Sequence, residues 1–212
     1  MRLARRVTND VKNYICPNYQ FVCYAELEIH LNSYLTNPFE RWLLYFEEIS
    51  LPPGCNLHLN DRQTVQTFDF PPNKFIIYHN SKMKYFCDNC GNRWTTARGR
   101  TIFQSEYPQK DKYNFLYLHV STQQCRFCHR IIQPLWYLHE ATRVMKSICR
   151  IFRERFYSDR VFVLPPSSSS SSSEEEKELQ QQRGNRATGQ HQRDLCSACR
   201  HGYCFDSHRQ HR

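Results

Sequence analysis

The chain has 212 residues, of which 40% are hydrophobic and 14% aromatic, with a formal net charge of +9. It contains no apolar run near the roughly 18 residues of a membrane-spanning helix, and its basic start lacks an apolar signal sequence, so the eleven cysteines are expected to stay reduced in cytosol or nucleus. The positive charge favours acidic partners such as nucleic acid or a membrane's inner surface, but charge alone decides neither.

Residues 1–35 show no sustained hydrophobic period and are assigned no role.

Asn37-Pro38-Phe39-Glu40 then predicts a helix start, with Asn37 as N-cap and Glu40 as its capping partner. Apolar residues follow at helical spacing, which favours core packing over a partner groove. These residues are Phe39, Trp42, Leu43, Phe46 and Ile49.

From Thr64 to about Val120 the pattern changes to short β-like runs between turn residues, which predicts an antiparallel meander. The runs are Val65 to Phe70, Phe75 to His79, Met83 to Phe86, Trp94 to Gln104 and Tyr113 to Val120. Asn80-Ser81 is predicted to form a tight hairpin turn whose second strand leads into the first cysteine pair.

Three Cys-x-x-Cys pairs carry the clearest chemistry in the chain. They are Cys87/Cys90, Cys125/Cys128 and Cys196/Cys199. Two intervening residues let one tight turn aim both sulfur atoms at a tetrahedral Zn²⁺, and Gly91 suits the positive-φ position that closes the first turn. The three pairs predict structural zinc sites.

The pairing of these knuckles has two solutions. With 34 residues between Cys90 and Cys125, a returning hairpin would bring the first two pairs together around one ion. In a cross-braced alternative, the first pair shares zinc with the third. Trp94 either packs over the first site and keeps water from the sulfur atoms or is an ordinary core tryptophan.

A second helix is predicted from about Glu140 to Tyr157, and Val161–Leu164 could form one more strand. One face of the helix is apolar and the other is basic. The basic face is a solvated surface or a nucleic-acid or partner face. Its candidate contact residues are Arg143, Lys146, Arg150 and Arg153.

Composition changes abruptly at Pro165-Pro166, where a serine run leads into a Glu- and Gln-rich stretch that is too polar to bury a core. Because cysteines follow it, residues 165–190 are expected to be a disordered loop within one metal domain. A second zinc would bind Cys196, Cys199 and Cys204 with His191 as fourth ligand, while His201 and His208 compete for that place.

The predicted fold class is α+β, a zinc-stabilised antiparallel β meander with two flanking amphipathic helices, and two zinc ions are expected. The predicted divisions are residues 1–35 (extension), 36–164 (main part of the zinc-finger domain), 165–190 (loop), 191–206 (third knuckle) and 207–212 (tail). Thiolates and one histidine would fill both coordination spheres and leave no place for a reactive water, so no enzymatic activity or small-molecule substrate is expected.

These motifs together resemble the 3CxxC-type zinc finger of the receptor-transporting protein family, which zygote-arrest proteins share. The resemblance spans about residues 37 to 204. It rests on Tyr85-x-Cys87-x-x-Cys90 with Trp94, Gln124-Cys125-x-x-Cys128, the basic helix ending at Phe156-Tyr157, and Leu195-Cys196-x-x-Cys199-x-x-Gly202-x-Cys204.

The resemblance implies a chaperone-like accessory protein that helps odorant or taste G-protein-coupled receptors fold and reach the cell surface. The expected location is the cytoplasm, in association with the endoplasmic reticulum or plasma membrane. Members of that family typically end in a transmembrane helix, and this chain has no such apolar segment. Relatives that bind RNA give the alternative of an RNA-binding protein with antiviral or translational roles.

Overall fold

The protein, seen in a computed structural model, is described at residues 14–16, 18–47, 49, 65–70, 74–106, 113–159 and 192–201. The strands are β1 (Ile15–Cys16), β2 (Trp42–Phe46), β3 (Val65–Phe70), β4 (Lys74–Phe86), β5 (Arg93–Glu106), β6 (Asn114–Val120), β7 (Gln123–Gln124), β8 (Ile131–Ile132) and β9 (Leu135–Tyr137). The helices are α1 (Tyr19–His30), α2 (Leu138–Phe156) and the short α3 (Ser197–Arg200), with 3-10 turns at Asn32–Tyr34, Pro38–Glu40 and Arg193–Leu195. The α+β fold class is therefore confirmed.

The main sheet has seven strands in the order β1-β9-β4-β5-β6-β2, and β3 pairs with β4. The antiparallel neighbours β3 to β6 form the predicted meander. At the far edge, β2 pairs with β6 in parallel. β7 and β8 form a separate two-stranded ribbon that carries the second cysteine pair.

The helix predicted after Asn37 is wrong beyond its first turn. The Asn37 side chain does accept a hydrogen bond from the amide two residues on, at 3.0 Å, but the turn it caps is 3-10 and short. From Trp42 onward the chain is β2, in which Trp42 and Leu44 are buried while Leu43 and Tyr45 are exposed. This alternation is the period of a strand, and pairing with β6 outweighs the helical spacing that the same apolar residues share.

The hairpin predicted at Asn80-Ser81 is also wrong, because β4 runs straight through both residues beside β5. At this point the pairing of β4 with β5 shifts register, between Ser81 and Met83. Gly99 lies opposite Ser81, and a Cβ built there would overlap the Met83 side chain. A side chain at residue 99 would therefore have to displace the Met83 side chain, which packs against the backbone at the shift.

Helix α1 lies in residues 1–35, where the sequence indicated no element. Its buried residues Cys23 and Leu27 belong to the same hydrophobic core as Ile148 of α2, and Thr142 donates a hydrogen bond to Glu26 at 3.0 Å. The helix is apolar on its outer face as well, which hides the helical period. The first flanking helix is therefore α1 and not the segment after Asn37.

Helix α2 matches its predicted bounds to within two residues and covers the sheet. Trp42 of β2 stacks on Phe152 with ring centroids 4.6 Å apart, and its indole N–H donates to the Tyr157 hydroxyl at 3.0 Å. The strand predicted at Val161–Leu164 and the loop predicted at 165–190 lie outside the described residues.

Candidate metal centre

The structure brings four cysteine sulfur atoms together at one end of the sheet. All four lie within 4.8 Å of one another, and they belong to Cys87, Cys90, Cys125 and Cys128. The Sγ atoms of Cys87 and Cys128 are 3.4 Å apart, as are those of Cys90 and Cys125. A tetrahedral Zn²⁺ with Zn–S bonds of about 2.3 Å needs sulfur atoms about 3.8 Å apart. The donor set and its spacing therefore fit zinc.

Each pair sits in a turn with the same hydrogen bonding. In the first turn, the Gly91 amide donates to the Cys87 carbonyl at 2.8 Å and the Cys87 amide donates to Asn92 at 2.9 Å. In the second turn, the His129 amide donates to the Cys125 carbonyl at 2.8 Å and the Cys125 amide donates to Arg130 at 2.8 Å. These bonds direct both sulfur atoms of a pair to the same side.

The sheet delivers the two turns to one place. β4 ends directly before Cys87 and β5 begins three residues after Cys90, while β6 returns the chain towards the second pair. This is the returning hairpin that the 34-residue spacing predicts. Arg130 of the second turn also bonds Asp88 of the first at 3.2 Å, across the exposed surface.

Hydrogen bonds around two of the four sulfur atoms, those of Cys125 and Cys128, favour the thiolate form that binds a metal. Burial opposes ionisation of Cys125, but amide donors at Cys128 and Phe127 outweigh it and lower the pKa of Cys125 to about 6. The Arg130 amide is the main cause that lowers the pKa of Cys128. The Asn92 side chain adds a donor to Cys125 Sγ at 3.7 Å. Such outer donors orient the ligands and stabilise their charge.

Trp94 braces the second knuckle against the sheet. Its ring stacks on Tyr85 with centroids 5.2 Å apart and planes at 8°, and its indole N–H donates to Gln123 Oε1 at 2.6 Å. Gln123 begins β7, two residues before Cys125. Trp94 therefore positions the strand that leads into the second pair. This role is neither that of a cover over the sulfur atoms nor that of an ordinary core tryptophan.

The third pair lies on the other face of the sheet from α1 and α2. Cys196 forms a β-bridge with Gln123, and the Ser197 hydroxyl donates to the Thr122 carbonyl at 2.7 Å. Cys196 and Ala198 pack in a smaller core with Tyr78 and other residues of that face. The first two pairs share one cluster, so the cross-braced arrangement is not the one observed.

Other candidate ligands differ in how far the structure describes them. His201 is exposed and ends the described part of the third knuckle, whereas His191, Cys204 and His208 lie outside the described residues. Cys199 is half-buried beside Arg193, Asp194 and Arg200 in a shallow depression.

The four residues of the predicted basic face of α2 differ in their exposure and in their contacts. Lys146 and Arg150 are exposed, whereas Arg143 and Arg153 are half-buried. Arg143 binds Glu140, whose side chain is 1% exposed, at 3.0 Å, and Arg153 donates to the carbonyl of residue 30 at 3.3 Å. Two of the four candidate contact residues therefore have bonds within the fold.

A family model described as a zinc-binding domain, the 3CxxC zinc ribbon, matches residues 80–202 and so covers more than half of the chain. The chain belongs to this zinc-ribbon family. All three Cys-x-x-Cys pairs lie within the match. Together with the four-cysteine cluster, the match establishes a zinc-binding protein.

Searches against curated proteins and against solved structures gave no match to this zinc-ribbon protein. In the part of the chain that the structure describes, no helix is both long and apolar enough to cross a membrane.

Proposed function

We propose that this zinc-ribbon protein is a chaperone-like accessory protein of the receptor-transporting type. It promotes the folding, trafficking and surface expression of chemosensory G-protein-coupled receptors and works in association with the endoplasmic reticulum or plasma membrane. The sequence motifs around the three cysteine pairs support this type. The structural observation that carries the proposal is an apolar stripe on the outer face of α1.

This stripe consists of Phe21, Ala25 and Ile29, at positions i, i+4 and i+8 of one helix face. Phe21 is 72% exposed and Ile29 is 55% exposed, although the opposite face of α1 already packs in the core. A surface helix normally presents polar side chains to water, so an exposed apolar stripe is typical of a binding surface. Apolar segments of a receptor that has not finished folding have the chemistry to cover it.

Zinc has a structural role in this proposal. Four thiolates complete the coordination of the first ion and leave no position for a reactive water, which supports a binding protein over an enzyme. A second ion would bind Cys196, Cys199 and Cys204 with His191, and would fasten the third knuckle to the sheet. Two ions per chain is the expected content.

The test is surface display of a co-expressed chemosensory receptor in cells. The variant Phe21→Lys/Ile29→Lys should lose the gain in display while keeping its zinc content and melting transition, because both side chains are exposed. Phe127→Lys is the matched control, since Phe127 is 62% exposed on the second cysteine turn and far from α1 in sequence. No gain with wild-type protein, or an unchanged gain with the double variant, would reject the proposal.

RNA binding is the second candidate function. The residues that support it lie beside the two cysteine pairs rather than on the basic face of α2. The Arg126 guanidinium lies over the Phe127 ring at 4.6 Å, and that of Arg93 lies over Phe86 at 4.8 Å. Exposed aromatic rings beside arginines can stack bases and contact phosphates. Arg126→Gln should then flatten the salt dependence of RNA affinity by roughly 0.7 log units per log unit of salt. Tight, salt-sensitive RNA binding without any gain in receptor display would favour this candidate.

A further inference from the structure

The β2 strand turns one backbone edge away from the sheet. The Asn114 amide donates to the Arg41 carbonyl at 3.3 Å, and the Glu47 amide donates to the Leu118 carbonyl at 3.2 Å. In a parallel pair, alternate residues of a strand bond to the same neighbour. The odd-numbered residues of β2 therefore bond to β6, and the even-numbered ones direct their N–H and C=O groups outward.

One of the outward positions is already filled. The Asn32 side chain accepts from the Trp42 amide at 2.8 Å and donates to the Trp42 carbonyl at 2.9 Å, so it replaces a neighbouring strand there. At the next two outward positions, Leu44 and Phe46, no backbone partner is found among the described residues. These two positions offer two donors and two acceptors.

Within the described residues, the same edge lacks the charges, prolines and bulges that keep strand edges apart. Residues 42–46 contain no charge and no proline, and β2 pairs with β6 without a bulge. On the face away from the helices, Tyr45 is 41% exposed and its ring lies 5.9 Å from that of Phe115, beside exposed Leu43. Natural proteins usually protect an edge with charges, bulges or a covering segment. An apolar edge that no described residue covers at Leu44 and Phe46 is suited to a partner.

We propose that the partner is a second copy of this chain, which adds its own β2 antiparallel to the first. The two-fold axis passes beside Tyr45, so Leu44 of each copy lies opposite Phe46 of the other. Each of these two pairs exchanges two backbone hydrogen bonds, which fills all four free groups on each edge. The two main sheets then form one continuous sheet across the axis.

Asn32 excludes a register that is shifted towards the start of β2. Pairing centred on Leu44 would place Phe46 of one copy opposite Trp42 of the other, whose backbone groups are bonded to Asn32. Pairing centred on Tyr45 avoids that conflict. It also brings the two Tyr45 side chains together as a close cross-strand aromatic pair, with Leu43 and Phe115 of both copies beside them. This apolar contact is needed because four hydrogen bonds alone do not make a stable interface.

The test uses the full-length, zinc-loaded protein in sedimentation velocity over a range of concentrations. Wild-type protein should dimerise, and Tyr45→Lys should raise the dissociation constant at least about tenfold, because two like charges would face each other at the axis. Tyr45→Glu should do the same, and mixing the two variants should restore a dimer. Only a register that places residue 45 against its own copy predicts this rescue.

Ile131→Lys is the matched control, since it adds the same charge at an apolar residue that is 57% exposed on β8, away from β2, and it should dimerise like wild type. A monomeric wild type, a Tyr45→Lys protein that dimerises normally, or a mixture of charge variants that stays monomeric would each overturn the proposal. Slow hydrogen exchange at the Leu44 and Phe46 amides of a monomer would instead assign the edge to another segment of the same chain, and would also overturn it.

Discussion

Gly91 and His129 occupy the same position in the two cysteine turns, and both have positive φ, at 71° and 57° respectively. Each residue follows the second cysteine of its pair and donates its amide to the carbonyl of the first. Glycine adopts this left-handed conformation without steric cost, whereas a side chain makes it less favourable by roughly 1–2 kcal/mol. The second turn is therefore the more strained of the two.

The first prediction is that His129→Gly stabilises the protein. Removing the side chain relieves the left-handed strain, and His129 is exposed, so the free energy of unfolding of zinc-loaded protein should rise by up to about 1 kcal/mol. Gly91→Ala is the reciprocal variant and should lose about 1 kcal/mol, since nothing lies within 4 Å of the added Cβ and only strain acts. Urea denaturation measures both. A loss of stability in His129→Gly, or a gain in Gly91→Ala, would show that left-handed strain does not govern the two turns.

The second prediction separates zinc ligands from other thiols. Serine at Cys90 or Cys128 should abolish zinc binding at the first site and the cooperative melt, because structural zinc contributes more than the net stability of an ordinary domain. Cys16→Ser should change little, since Cys16 is half-buried outside the four-cysteine cluster. Metal analysis and thermal melts check this. Loss of a stoichiometric zinc ion from Cys16→Ser would contradict the ligand assignment.

The third prediction concerns alkaline pH. Burial raises the pKa of Cys149 to about 12, whereas an unfolded thiol has a pKa of about 8.5. Between these values the unfolded state loses a proton that the folded state keeps, so the free energy of unfolding should fall as pH rises. In Cys149→Ala the free energy of unfolding should fall less steeply with pH, by a difference of up to about 1.4 kcal/mol per pH unit. Identical slopes in urea denaturation between about pH 9 and 10 would show that Cys149 ionises as readily in the fold.

The fourth prediction distinguishes structural from exposed charges on α2. Arg143→Met removes the guanidinium partner of buried Glu140 but leaves the Lys82 amide as a donor to the same carboxylate, so it should cost about 1–3 kcal/mol of stability. Lys146→Met changes an exposed side chain on the same helix and should stay within about 0.5 kcal/mol of wild type. Equal losses in urea denaturation would mean that the ion pair contributes nothing specific.

The sequence predicted the parts of this fold that local pattern controls. The β-strands between residues 65 and 120 follow from the alternation of apolar and polar residues, and helix α2 follows from its helical period. The association of the first two cysteine pairs follows from their spacing as ligands. The β2 strand was missed because its apolar residues satisfy both periods, and only the long-range pairing with β6 decides between them. The positive φ of the second turn could not be predicted, because its position is occupied by His129, whereas the first turn has a glycine, Gly91, at the same place.

The same limit applies to α1 and to Trp94. The α1 sequence is apolar on two faces, so its helical period is visible only once the core shows which face is buried. The role of Trp94 depends on a hydrogen bond to Gln123, 29 residues away, which no local pattern encodes. Contacts made across the sheet therefore set the limit of prediction from this sequence.

The most direct test of the account is the zinc content and thermal melt of the full chain before and after treatment with a strong chelator. Native mass spectrometry should find two zinc ions in wild-type protein and lose one of them in Cys90→Ser. Chelation should remove the metal together with the cooperative transition seen by circular dichroism, and added zinc should restore both. A metal-free wild-type protein that melts with the same cooperative transition would contradict the account.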